Sequence, residues 1–109
     1  MQSAPIDEDR IFQALADPSR RGIFESLTRG EAAVKDLTAR FHISQPAVSQ
    51  HLATLKDAGL VSARREGRLV YYRVEPRGMK PLIDWIAHYQ VFWAEHIDRL
   101  EQLLERMDG

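Results

Sequence analysis

The chain has 109 residues, 44% hydrophobic and 28% charged, with a formal net charge of −1 and no cysteine. That length accommodates one domain core and not two, and the balance is that of a folded chain rather than a disordered one. The lack of cysteine excludes a disulfide framework, a cysteine-ligated zinc site, an iron–sulfur cluster and a thiol nucleophile, and no run of about 18 apolar residues offers a membrane-spanning helix. Residues 1–9 are polar and acidic, without the apolar centre of a signal peptide, so a cytoplasmic domain is expected. Between Lys35 and Arg73 there are seven basic residues and three acidic ones, while the remainder carries eight basic and thirteen acidic. A basic stretch inside an acidic chain points to a local polyanion-binding face, although a solvated charged face has the same composition.

In chain order, the first helix is predicted to begin near Asp7, with Ile11, Phe12 and Leu15 on one face. Asp17-Pro18 then reads as an N-cap followed by a proline at the first helical position, and Ile23, Phe24 and Leu27 supply the apolar stripe of a second helix ended by Gly30. A third, short helix is expected from about Ala33 to Phe41, burying Val34, Leu37 and Phe41. Two residues later Ser44 reads as an N-cap, with Pro46 in the first turn and Val48, Leu52 and Leu55 as a narrow buried stripe up to Gly59. Two short helices so tightly joined, over 33–58, have the spacing of a helix-turn-helix.

After Gly59 the period changes. Two runs rich in branched and aromatic residues, separated by Glu66-Gly67-Arg68, predict a β-hairpin over 60–74. Val70 and Tyr72 are expected on one side of it, Tyr71 and Arg73 on the other. The last segment keeps a three- and four-residue apolar period from Met79 through Leu82, Ile86, Tyr89, Trp93, Ile97, Leu100 and Leu104 to Met107, which predicts one helix over 79–107. Such a helix is about 43 Å long. A compact chain of this size is about 34 Å across, so a partner helix is needed to cover the stripe.

With the fourth helix packed on Val48, Leu52 and Leu55, its opposite face carries Pro46, Gln50, Ala53, Thr54 and Asp57, with Ser49 at the edge. Gln45, Ser49 and Gln50 are short or amide side chains able to approach base edges, and glutamine can pair bidentately with adenine in the major groove. Arg64, Arg65 and Arg68 near the hairpin tip suit phosphates or a narrow minor groove. A helix-turn-helix followed at once by a basic hairpin favours double-stranded DNA over a merely solvated surface. The candidate contacts are Ser44, Gln45, Pro46, Ser49, Gln50 and Thr54 on the helix, with Arg64, Arg65 and Arg68 on the hairpin.

These residues also carry a resemblance. Ala14-Leu15-Ala16-Asp17-Pro18-Ser19-Arg20-Arg21 resembles the opening signature of the ArsR-type winged helix repressors. Ser44-Gln45-Pro46-Ala47-Val48-Ser49-Gln50-His51-Leu52 resembles that family's recognition helix, and Arg65-Glu66-Gly67-Arg68 with Val70-Tyr71-Tyr72 its wing. The resemblance implies a mainly α winged helix-turn-helix fold with a small β-hairpin, and a homodimeric bacterial transcriptional repressor whose terminal helices form the dimer interface. The interface candidates are then Phe12 on the first helix and Leu82, Trp85, Ile86 and Tyr89 on the last, continued by Trp93, Ile97, Leu100 and Leu104. The family's metal sensors carry two cysteines in a Glu-Leu-Cys-Val-Cys-Asp-Leu pattern. Here Glu31-Ala32-Ala33-Val34-Lys35-Asp36-Leu37 places Ala33 and Lys35 at the ligand positions, so that metal site is not expected. Asp84, His88 and Glu95-His96 do not match the family's zinc pattern on the last helix; their residue types suit a cross-dimer zinc site, but surface histidines and helix-stabilising pairs explain them more cheaply.

The expectation is a DNA-binding transcriptional regulator, a homodimeric repressor of a palindromic operator, without metal or cofactor. The alternative is a protein-interaction module on the same scaffold that has lost DNA binding. An enzyme is not expected: Ser19, Ser26, Ser44, Ser49 and Ser62 lie in no motif of an activated nucleophile, and there is no glycine-rich phosphate loop. Trp85, Tyr89, Phe92 and Trp93 suit either an interface core or a pocket for a small-molecule effector between last helices, and their helical spacing favours the core.

Overall fold

The computed structural model describes residues 7–108, so most of the acidic opening read over residues 1–9 lies outside the described residues. Helix α1 (Asp7–Ala16) leads into α2 (Pro18–Thr28) with Asp17 between them. Asp17 is extended (φ −82°, ψ 126°), and its carboxylate accepts the backbone N–H of Arg20 at 2.9 Å. Two arginines answer from the other side. Arg20 Nη1 donates to the carbonyls of Gln13 and Ala14 (3.4 and 3.2 Å), and Arg21 Nη1 to those of Leu15 and Ala16 (2.7 and 3.2 Å). The end of α1 and the start of α2 thus satisfy each other's orphan backbone groups, which gives the Asp17-Pro18-Ser19-Arg20-Arg21 run its physical role.

Next come β1 (Ala32–Ala33), α3 (Val34–Phe41) and α4 (Gln45–Asp57). The turn between the two helices is made by His42 in the left-handed conformation (φ 54°), which ends α3. Leu37, Val48, Leu52 and Leu55 are fully buried with Ile23 and Leu27 of α2, in one core that also takes in Ile11 and Ala14 of α1. Gly22 lets α2 and α3 close up, because a Cβ there would stand 3.0 Å from the Phe41 ring. Ser26, the one buried polar residue among those described, accepts a hydrogen bond from Arg40 Nη1 at 2.8 Å and so ties α2 to the end of α3.

Strands β2 (Val61–Glu66) and β3 (Leu69–Val74) form the expected hairpin. Its two-residue turn has positive φ at Gly67 (64°) and not at Arg68, the pattern of a type II′ turn. The sheet has a third member. Ala32 and Ala33 pair antiparallel with Tyr72 and Tyr71, giving the order β1-β3-β2 where the sequence predicts two strands and a helix starting at Ala33. A two-residue strand has no period to read, and its partner lies far along the chain.

A 3₁₀ turn (Pro76–Met79) opens the C-terminal region, followed by α5 (Lys80–His88) and α6 (Gln90–Asp108). The long C-terminal helical segment is present, but it is divided rather than continuous over 79–107. The division falls at Tyr89 (φ −107°, ψ 13°), whose N–H bonds back to Ile86 O while its own carbonyl accepts from Trp93 N. No proline or glycine stands there. The Tyr89 ring packs on Trp85 (5.2 Å) and edge-on to His88 (5.0 Å), a local ring cluster that counting apolar periods does not register. The Cα radius of gyration is 18.2 Å, against about 13 Å for a compact chain of this length.

α5 is set onto the core at one close backbone contact. A Cβ on Gly78 would lie 1.8 Å from the carbonyl oxygen of Gly59, and Glu75 N donates to Leu60 O at 2.9 Å beside it. Gly78→Ala is expected to lower stability by about 1–3 kcal/mol or more, because backbone rather than a side chain must give way. Equilibrium denaturation checks this; an unchanged midpoint would show the joint is looser than described.

A second expectation concerns Asp17. The Arg20 N–H, opposed by some desolvation and aided by the charges of His51 and Arg20, holds its carboxyl below the usual carboxylate range. A depressed carboxyl contributes stability that is present above the unfolded-state value and is lost as pH falls through the folded one. Asp17→Asn keeps a capping oxygen without the charge, so it should melt below the parent above about pH 4 and converge with it at lower pH. A gap that stays constant across pH would show that the charge is not responsible.

Candidate nucleic-acid interface

Burial of Val48, Leu52 and Leu55 turns the other side of α4 to solvent. Gln45, Pro46, Ser49 and Gln50 are all exposed over its first two turns. Ser44 caps the helix, its Oγ accepting from Ala47 N at 3.2 Å, so its own O–H proton remains free to donate outward. Short polar side chains on the N-terminal turns of a projecting helix can approach base edges, while the unpaired N–H groups and dipole at that end attract phosphate. Thr54 sits apart from this set. It is half-buried, donates to Gln50 O at 3.2 Å, and lines a groove with Arg10 and Gln13 of α1 and Arg20 of α2.

The wing brings Arg65 and Arg68 to its tip, both exposed. Among the described residues neither has a salt bridge or side-chain hydrogen bond. Arg64, grouped with them on sequence, is held differently. Its Nε and Nη2 donate to the two oxygens of Glu31, each at 2.8 Å, its Nη1 donates to Glu66, and its guanidinium lies 4.8 Å from the Tyr71 ring centroid. The Arg64 hydrogen bond holds the Glu31 carboxyl below its ordinary range, and the two carboxylates raise the Arg64 pKa. The roles of Glu31 and Tyr71 are not visible in the sequence, because Glu31 lies 33 residues from Arg64.

In the C-terminal helices, every residue from Ile83 to Met107 is exposed. The large exposed apolar side chains are Phe12 of α1 and a set confined to that segment, including Trp85, Ile86, Tyr89, Trp93, Ile97, Leu100 and Leu104. Leu82, half-buried, packs against the core instead. Phe12 and Trp85 meet edge-on at 5.4 Å, joining α1 and α5 into one apolar face. Sequence spacing left out Ile83, Val91 and Leu103, which share this exposure. Asp84 accepts a hydrogen bond from Lys80 Nζ at 2.7 Å, and His96 stacks on Phe92 with its Nδ1 2.9 Å from Phe92 O. Among the described residues no helix is long and apolar enough to cross a membrane.

The sequence model described as bacterial regulatory protein, arsR family, matches residues 17–63, from the α1–α2 corner into β2. The transcriptional repressor SdpR of Bacillus subtilis is 33% identical over 81 residues, covering 74% of this chain and 90% of that protein. The HTH-type transcriptional regulator Rv2034 of Mycobacterium tuberculosis is 40% identical over 97 residues, covering 89% of this chain and 88% of its own length. Among solved structures, the ArsR family transcriptional regulator RHA00566 superposes with a TM-score of 0.73 at 33% identity, covering 86% of this chain and 97% of that one.

Proposed function

This chain belongs to the arsR family of bacterial regulatory proteins and is a DNA-binding transcriptional repressor; from that premise we propose that it works as a homodimer on a palindromic operator. The observation that carries the reading is an outward-facing α4 N-terminus followed in the chain by a wing whose tip carries two arginines without an ion pair among the described residues. In this reading Gln45, Ser49 and Gln50 meet base edges in the major groove, Ser44 and Pro46 lie against the strand beside them, and Thr54 supports α4 from the edge of the interface. Arg65 and Arg68 take phosphates or the neighbouring minor groove. The second copy covers the Phe12–Trp85 face and the stripe through Tyr89, Trp93 and Ile97, which removes a strip of apolar surface too long for a free monomer. Two recognition helices are then about one duplex turn, roughly 34 Å, apart. A small-molecule effector, if one acts, has a wholly apolar hollow of about 250 Å³ between Trp85, Tyr89, Phe92 and Trp93, where it competes with the second copy.

Readout and anchoring separate by mutation. Gln50→Ala should cost about 1–3 kcal/mol on the operator and less on random duplex, whereas Arg68→Ala should weaken both and lower the salt slope by about one unit. Footprinting of the adjacent promoter identifies the operator, and titrations over a range of salt give the slopes. Equal losses on both duplexes for Gln50→Ala would remove α4 from base recognition.

Assembly is tested away from DNA. Ile97→Glu places a charge in the middle of the stripe, where the dimer would have to desolvate it, so operator affinity should fall by orders of magnitude with no DNA contact altered. Sedimentation and binding are measured on one soluble preparation. A folded monomer that binds the full operator as well as the parent protein would show that this helix is not the dimer element.

A further inference from the structure

All three guanidinium nitrogens of Arg64 are occupied by carboxylates, and the place where this happens is a mechanical junction. In register, Ala33 of β1, Tyr71 of β3 and Arg64 of β2 lie side by side, and Glu31 is two residues before Ala33, on the same face of the sheet. The Arg64 side chain therefore crosses the central strand over the Tyr71 ring to reach Glu31 beyond the opposite edge. Beyond this rung the third strand stops: β1 pairs only with Tyr71 and Tyr72, and the distal rungs Arg65–Val70 and Glu66–Leu69 are a bare two-stranded ribbon. Such a ribbon is marginal by itself in water. It is also the part that carries Arg65 and Arg68.

We propose that Arg64 is a positioning residue and not a DNA contact: with Glu31 it straps the wing to the strand that leads into α3, at the point where the ribbon leaves the sheet, and so sets where Arg65 and Arg68 stand relative to α4. Moving Arg64 to a phosphate would break a two-pronged fork to Glu31 and leave two carboxylates facing DNA. The side chains are 48% and 31% exposed, so the strap is a modest one. It acts on the local opening of the wing and not on global stability.

The inference rests on the wing being a DNA contact, and the test keeps the two apart. Hydrogen exchange of the wing amides is measured on the free protein for Arg64→Ala, Glu31→Gln and the double variant. Operator and random-duplex titrations over salt are run for Arg64→Ala beside Arg68→Ala. Either single change is expected to speed exchange over residues 65–70 by about two- to five-fold, the double variant no more than either, with Arg64→Lys failing to restore protection because an ammonium cannot form the fork. Arg64→Ala should weaken operator binding by about the same factor at an unchanged salt slope. A slope lowered by about one unit with wing exchange unaltered would make Arg64 a phosphate contact and overturn the proposal, as would additive exchange effects of the two single changes. If Arg68→Ala leaves both affinity and slope untouched, it is the reading of the wing as a DNA contact that fails, and the exchange data alone decide the strap.

Discussion

The insertion of Val48, Leu52 and Leu55 among Ile23, Leu27 and Leu37 is the constraint from which the rest of the molecule's usefulness follows. These six side chains are at most 2% exposed, and each buried apolar residue of this size is worth about 1.5–3 kcal/mol of transfer free energy. A rotation of α4 about its axis would bring Gln50 or Lys56 into that core, at the cost of an unpaired polar group. The stripe is narrow, so the roll angle of α4 is defined to within a fraction of a turn. The Ser44 cap and the left-handed His42 then define where the helix begins. Gln45, Ser49 and Gln50 are thus aimed by a buried stripe and by a cap and turn at the start of α4.

The same core reaches the exposed apolar face of the C-terminal helices through backbone contact. Leu60 and Val61 are buried directly after Gly59, and it is against Gly59 that Gly78 seats the turn leading into α5. Glu75 N bonded to Leu60 O closes the joint. The stretch that ends α4 therefore also supports the start of the apolar face carrying Phe12 and Trp85. An angular change at that joint moves α5 relative to α4 with a lever arm the length of α5, so two copies paired through α5 and α6 would feel it as a change in recognition-helix separation. Close backbone packing at a glycine pair resists such change more firmly than side-chain contacts do.

Much of this was legible because local chemistry and global fold agree. Asp17-Pro18, Ser44 with Pro46, and Gly67 each have one good structural use at that point in the chain, and each is found in that use. The alternation of Val70 and Tyr72 against Tyr71 and Arg73 separates the two tyrosines, and they are found apart: Tyr72 packs against the core and Tyr71 lies under Arg64. What escaped notice is non-local or aperiodic. Ala32–Ala33 pairs with residues that follow it by almost forty positions, and alanine is a better helix former than strand former. The break at Tyr89 lies in a faultless helical period. Thr54 falls on the exposed side of a helical projection of α4 alone, yet α1 and α2 pack beside it. A projection of one helix cannot register its neighbours.

Charge counting by sequence overstates the wing, and the difference bears on how binding strength is assembled. Arg64, Arg65 and Arg68 look like three cations near one turn, but Arg64 together with Glu31 and Glu66 amounts to one net negative charge. With Arg65, Arg68 and the exposed Arg73 of β3 the wing region comes to about two positive charges. Each neutralised phosphate contributes about 0.9 to the salt slope, so a single wing whose arginines free of carboxylates are Arg65, Arg68 and Arg73 supplies only part of the sequence-independent attraction on which non-specific binding depends. The net charge of −1 is unevenly spread, and the local basic excess between Lys35 and Arg73 is the part that can attract a polyanion. In the proposed reading, base contacts by α4 and a doubled contact set add to that attraction. Doubling multiplies the two half-site constants through an effective concentration and adds no new chemistry. The uncovered stripe from Trp85 to Leu104 is where that doubling would be made. In the proposed dimer, a wing with few free cations and a strongly apolar terminal face would act together, the second copy supplying the contacts that a single wing lacks.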